Sequence, residues 1–305
     1  MRRALALAAA VAMVVVAVLV RGAIDDEGGE GSDGALTIIC ADELREACEA
    51  LGSQVTVRVE SPLTTLTALE AGDLDEDIDG WFTTNAWLEV LASRVPDAAD
   101  TMQVAASTTP ALAVEAERGD AIERLCTAST TWRCLGDRAG QPWGDLGGDP
   151  RWGVLRTGVP SADTATGLGV LASAAAGYFD ATTFAANDFD VAFDSWLGAL
   201  ARSTSDADPL GTLVTRPGMY SAAAGTQARA TAIGRPLTLR PLEPELTILA
   251  VLIGFGRDPL PDPAPAGRAL GEAGWTPTDD GGDPVALLKP GVLAALHTRW
   301  TEVVG

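Results

Sequence analysis

Few groups in this 305-residue chain have the types and spacing of a chemical site. Asp75-Glu76-Asp77-Ile78-Asp79-Gly80 matches the opening of a calcium loop, where alternate carboxylates surround a hard cation and glycine allows the turn. Its twelfth position is Ala86, where a bidentate Glu is required, so the segment reads as a solvated helix end feeding a buried strand. His297 is the sole histidine, and no G-x-S-x-G serine exists to partner it, so it reads as a packed or surface residue. Gly167-x-Gly169 lacks the third glycine of a dinucleotide fingerprint, and no P-loop lysine precedes it. What remains is a series of polar clusters, each where an expected strand meets an expected helix. They are Ser61, Thr64 and Thr65; Thr83, Thr84 and Asn85; Ser107, Thr108 and Thr109; Ser161, Thr164 and Thr166; and Tyr220 with Ser221. In open α/β sheets, ligands bind beyond the carboxyl ends of strands, where helix N-termini present N–H donors. Hydroxyls and amides there hold an oxyanion or a polar solute without formal positive charge. Each cluster alone also reads as a helix cap. Their recurrence at equivalent junctions favours a shared site.

The elements that must position these clusters follow from the hydrophobic pattern. Ala35–Cys40 is a short apolar strand, Asp42–Leu51 a helix, and Gln54–Glu60 an alternating strand. Leu66–Ala71 is a helix capped by the Ser61 cluster, Ile78–Thr83 a strand and Ala86–Arg94 a helix. This βαβαβα order points to a sheet with helices on both faces. Met102–Glu115 reads as two strands around a polar kink at Ser107–Pro110, and a helix follows at Asp120–Leu125. A strand at Val154–Thr157 leads through a polar loop into an Ala-rich helix ending near Tyr178. Helices are expected at Asp190–Arg202, Leu210–Thr215 and Thr226–Ile233, with strands at Met219–Ala224 and Leu237–Leu242. The strongly apolar Leu246–Ile253 reads as a helix, and helices at Ala266–Ala273 and Pro290–Val304 close the chain. The class is α/β.

With 42 acidic against 21 basic residues the net charge is −21, which argues against nucleic acid as a partner, because phosphate binding needs clustered Lys and Arg. One histidine excludes His-based metal cages, and neither a metal nor a cofactor is expected. Arg2 and Arg3 precede an unbroken small or apolar run, Ala4–Val20, closed by Arg21: a signal peptide or signal anchor over 1–23. Residues 24–35 form an acidic, Gly-rich linker. The rest of the chain is expected outside the cytoplasm, secreted or held at the cytoplasmic membrane by that segment. There the cysteines read as disulfides. Four cysteines allow three pairings, of which Cys40 with Cys48 and Cys126 with Cys134, each enclosing seven residues, are the simplest.

In order and motif the chain from Leu36 onward resembles the type 2 periplasmic binding protein superfamily. LTIICADELREACEALG followed by VTVRVESPLTTLTALEAGD is similar to its opening strands and Ser/Thr-capped helix, and DIDGWFTTNAWLEVL to its next strand and helix. AASTTPALAVE and RPLTLRPLEPELTILAVLIG resemble its two crossovers, and PWGDLGGDPRWGVLRTGVPSADTATGLGVLASA its polar loop entering a helix. CTASTTWRCLGDRAGQPW and the ending EAGWTP resemble actinobacterial membrane-anchored members, here without a von Willebrand factor A domain. The resemblance implies two lobes, 36–108 plus 238–305 and 109–237, each a mixed, mostly parallel sheet flanked by helices. It implies a non-enzymatic solute-binding protein that traps a small solute by hinge closure, with a transporter permease as partner. Carried over by position, Ser61, Thr64, Thr65, Thr83 and Thr84 would face Ser161, Thr164, Thr166 and Tyr220 across the cleft, with Ser107 and Thr108 at the crossover. Trp81, Trp87 and Trp152 would be stacking candidates. No arginine or metal ligand is placed to name the ligand class. Two other readings fit the same sequence: an envelope scaffold or sensor that keeps the fold but binds a protein partner, and an extracellular hydrolase.

Overall fold

Apolar residues at Leu36–Ala41 and Val55–Glu60 form parallel strands β1 and β2, joined by a single 3-10 turn at Asp42–Leu44 and the short helix α1, Arg45–Glu49. This is a computed structural model, which describes residues 35–202, 204–205, 208–234, 237–256, 260–278 and 287–304. The signal segment and all of the linker except Ala35 lie outside those residues. Ser61 caps α2 (Pro62–Ala71) by accepting from the Thr64 amide, and Gly72 ends it in the left-handed conformation, φ 70°, that glycine adopts without strain. There follow β3 (Ile78–Thr84), α3 (Asn85–Arg94) and β4 (Thr101–Thr108). The Ser107–Pro110 kink then carries the chain out of the first sheet and into β5 (Pro110–Val114) of a second.

The second sheet takes in α4 (Ala116–Leu125), α5 (Thr131–Arg138), β6 (Thr157–Pro160), α6 (Gly167–Phe179), α7 (Val191–Ala201) and β7 (Thr204–Ser205). It ends with α8 (Pro209–Thr215), β8 (Ala222–Thr226), α9 (Gln227–Ala232) and β9 (Thr238–Pro241). The chain then returns to the first sheet through β10 (Ile248–Gly254), α10 (Ala264–Glu272), β11 (Thr276–Pro277) and α11 (Pro290–Val304). Strand order is β11-β4-β10-β3-β1-β2 in the first sheet and β7-β6-β8-β5-β9 in the second.

Both sheets are mixed and mostly parallel in strand direction: β1 to β4 point one way in the first and β6 to β9 in the second, with β10, β11 and β5 reversed. The two crossover segments run in opposite directions, so each inserts an antiparallel strand. Three expectations change. First, β9 pairs with β5, which places 238–241 in the second sheet and the return crossover at 242–247. Secondly, the apolar run read as a helix from Leu246 is β10, buried at every position. A strand covered on both faces loses its alternation and cannot be told from a buried helix by periodicity. Lastly, β6 begins at Thr157, because Val154 forms only an isolated bridge with Pro142.

Both local disulfides are formed, Cys40–Cys48 and Cys126–Cys134. The first joins the end of β1 to α1 and so fixes the turn at Asp42–Leu44. Replacing Cys40 and Cys48 together by Ala should lower unfolding free energy by about 2–3 kcal/mol, from the entropy regained by so short a loop. Denaturant titration checks it, and an unchanged midpoint would refute it. Among the described residues, no helix is long and apolar enough to cross a membrane.

Candidate ligand-binding cleft

A cleft of about 590 Å³ opens between the two sheets. On the first-sheet side its wall is the 3-10 turn and α1, Asp42 to Ala47, backed by Ala269, Leu270, Ala273 and Trp275 around the end of α10. On the second-sheet side lie Pro160, Ser161, Thr164 and Thr166 after β6, Asp208 to Leu210 at the start of α8, and Ala224 to Arg229 around the junction of β8 and α9. Both walls are therefore built where strands end and helices begin, the position that offers orphan backbone donors.

The loop 161–166 is locked from several directions. Thr164 Oγ1 donates to the Ser161 carbonyl (3.0 Å) and accepts from the Gly167 amide (3.1 Å), the first residue of the thirteen-residue α6. From α3 and its approach, Thr84 Oγ1 donates to the Ala165 carbonyl (2.7 Å) and Trp87 Nε1 to the Thr164 carbonyl (2.9 Å). His297 of α11 joins Asp163 Oδ1 through Nε2 at 2.9 Å and packs edge-on against the Trp87 ring. Glu43, from the opposite wall, closes the arrangement: its carboxylate accepts from the Thr166 amide (2.7 Å) and from Thr166 Oγ1 (3.2 Å). Glu43 still reaches solvent, but the protein atoms massed around its carboxylate strip away hydration and push its pKa above the ordinary glutamate value, against the Thr166 hydrogen bonds that pull it down.

Of the candidate residues, the cleft gathers only Ser161, Thr164 and Thr166. Ser61 and Thr64 bond each other as a helix cap, and Thr65 is buried. Thr83 and Thr84 are also buried: Thr84 anchors the 161–166 loop, while Thr83 Oγ1 has no hydrogen-bond partner among the described residues. Asn85 pins the return crossover, donating to the Thr247 carbonyl and accepting from the Leu249 amide. Ser107 is a sheet residue opposite Leu249 and Thr276, and Thr108 Oγ1 accepts from the Ala228 amide at α9. Tyr220 packs in a small core with Leu210, Leu213 and Ala223, and Ser221 accepts from Trp143 Nε1. Trp81 and Trp87 are fully buried, and Trp152 packs against Trp143, so none of the three stacking candidates lines the cleft. Asp79 accepts from the Thr37 amide and Asp75 pairs with Arg58, which uses the calcium-like segment to tie the start of β3 to β1 and β2.

Sequence reasoning passed over Asp42, Glu43, Arg45, Glu46, Asp208, Arg229 and Trp275, all in the lining. Arg229 donates to Asp208 through Nε at 2.8 Å, so the second wall carries a matched ion pair. The strand-end rule that selected the hydroxyl clusters applies equally to Glu43, two residues past β1, and to Arg229, three past β8.

No family model matches the chain, and no curated protein does. Solved structures do. Iron-bound HitA from Pseudomonas aeruginosa is 14% identical, with a TM-score of 0.56 over 88% of this chain and 98% of that one. The periplasmic binding protein AfuA from Actinobacillus pleuropneumoniae, with fructose-6-phosphate bound, is 14% identical, with a TM-score of 0.53 over 90% and 97%. The ferric binding protein from Campylobacter jejuni is 10% identical, with a TM-score of 0.52 over 88% and 98%. At these identities the likeness is one of fold, and the fold is the two-lobed type 2 periplasmic-binding-protein fold.

Proposed function

We propose that this chain is an extracytoplasmic solute-binding protein that traps a small polar solute between two lobes and presents it to an ABC-type transporter. The carrying observation is the cleft itself: a volume of about 590 Å³, in the range of small-molecule sites, walled by strand ends from both sheets. Binding would shift an open–closed balance by its differential affinity for the closed form. The N-terminal run, on this reading, exports the protein and either tethers it to the cytoplasmic membrane or is removed. Lobe boundaries follow the crossovers, 36–108 with the residues from 242 onward and 109–241.

The ligands named for the similar structures differ, a metal ion in one and a sugar phosphate in another, so the fold does not choose the ligand. Two of the four cleft carboxylates, Glu43 and Asp208, are committed to Thr166 and Arg229, which supports binding in place of hydrolysis. A scaffold role has less support, since the exposed large apolar side chains among the described residues, Val191, Met219 and Val304, sit on different segments. The test is thermal shift across a broad library of small polar solutes. One of them should raise Tm saturably, by the amount its Kd dictates, and a flat response throughout would remove the proposal.

A further inference from the structure

The start of α6 is the strongest donor site in the cleft, since a helix N-terminus concentrates orphan N–H groups and partial positive charge. It is already filled. Glu43 reaches it from the opposite wall and takes both the amide and the hydroxyl of Thr166, while Thr164 Oγ1 takes the amide of Gly167. That carboxylate comes from the 3-10 turn beside the first sheet, at a sequence position more than a hundred residues away. It is therefore an internal anion placed where a solute's anionic group would otherwise bind.

Resting on the solute-binding reading, we propose that Glu43 sets the charge class of the solute: the cleft accepts neutral or cationic polar solutes and turns anions away. The surrounding charge points the same way. Asp42, Glu43, Glu46 and Asp208 line the cleft against Arg45 and Arg229. The Arg229 guanidinium is matched by Asp208, which leaves no unpaired cation on the second wall to receive an anion among the described residues. An anion approaching Thr166 must either expel the Glu43 carboxylate or lie beside it, and like charges at that spacing repel.

The test uses inorganic phosphate and sulfate as probes in calorimetric titrations of wild type, Glu43→Ala and Glu43→Gln at low ionic strength. Glu43→Ala should bind phosphate saturably and wild type at least about tenfold more weakly, since charge-assisted bonds to the vacated donors are worth that much. Glu43→Gln should fall between, because its carboxamide oxygen still accepts from Thr166 but carries no charge. Glu43 lies at an exposed position, so both variants should fold, and Glu43→Gln alone carries the comparison if Glu43→Ala does not. Equal phosphate affinity in wild type and variants overturns the proposal. The outcomes separate from those of the library screen: an anionic solute that stabilises wild type sinks this inference and leaves solute binding standing. A flat screen with gained phosphate binding in Glu43→Ala does the reverse.

Discussion

Gly167→Ala is expected to destabilise the protein by about 3 kcal/mol and to abolish solute-induced stabilisation. On helix propensity alone the substitution would be favourable, by about 1 kcal/mol. Geometry reverses that sign. A Cβ on Gly167 would lie 1.9 Å from the Ser161 carbonyl oxygen and 2.5 Å from Thr164 Oγ1. Neither neighbour can yield cheaply, because Thr84, Trp87 and His297 each hold a member of the 161–166 loop from another element. Relief requires moving the loop and giving up several of those bonds, each worth about 1 kcal/mol. Gly291→Ala is the control: its Cβ would meet nothing within 4 Å, so the same change in α11 should leave stability equal or slightly raised. Denaturant titration of the two variants decides it. A neutral Gly167→Ala would mean that the loop is far softer than its hydrogen bonds imply.

Stability should also increase as pH falls from about 8 to 5, opposite to the acid sensitivity usual for so acidic a chain. Glu89 of α3 is 6% exposed and accepts from the amides of Leu287 and Leu288. Burial pushes its pKa up to about 7, outweighing the two amide bonds, which pull the other way. Folding therefore favours the protonated form. The contribution is fully present below the unfolded value of 4.5 and is lost as pH rises through about 7. Its size is about 3 kcal/mol at most, since each tenfold difference in proton affinity between the folded and unfolded carboxyl is worth about 1.4 kcal/mol. The raised Glu43 acts in the same direction. Asp149, held down to about 2 by Arg151, loses its charge well below this window. Glu89→Gln should flatten most of the rise between pH 8 and 5 in urea titrations, and an unchanged slope would reassign the effect.

Most of the architecture was legible because β1 to α3 keep their period and their caps: Ser61 and Gly72 sit where local chemistry requires. β10 was not legible, since a strand buried on both faces carries no alternation. The site was only partly legible. Hydroxyls at strand ends pointed to the 161–166 loop, which lines the cleft, but the same chemistry at Ser61 serves a local cap and at Thr108 holds the start of α9. A cap and a ligand donor use identical groups, and only the tertiary placement of the opposite wall separates them. Glu43 and Arg229 were passed over because charged residues near helix starts are common, and nothing local reveals that Glu43 bonds a residue on the opposite wall of the cleft.

The position of β10 also dictates an order of assembly. It lies between β3 and β4 in the first sheet, yet follows the whole second sheet in the chain. Until residues 248–254 arrive, β3 and β4 have no strand between them and the first sheet presents bare edges. Every element of the second sheet precedes that point, so the second lobe can complete itself while the first waits. Closure of the N-terminal sheet by its late central strand is thus expected to be a long-range step in folding, and a chain truncated before residue 248 is expected to aggregate through the gapped sheet, which light scattering of that truncation would check.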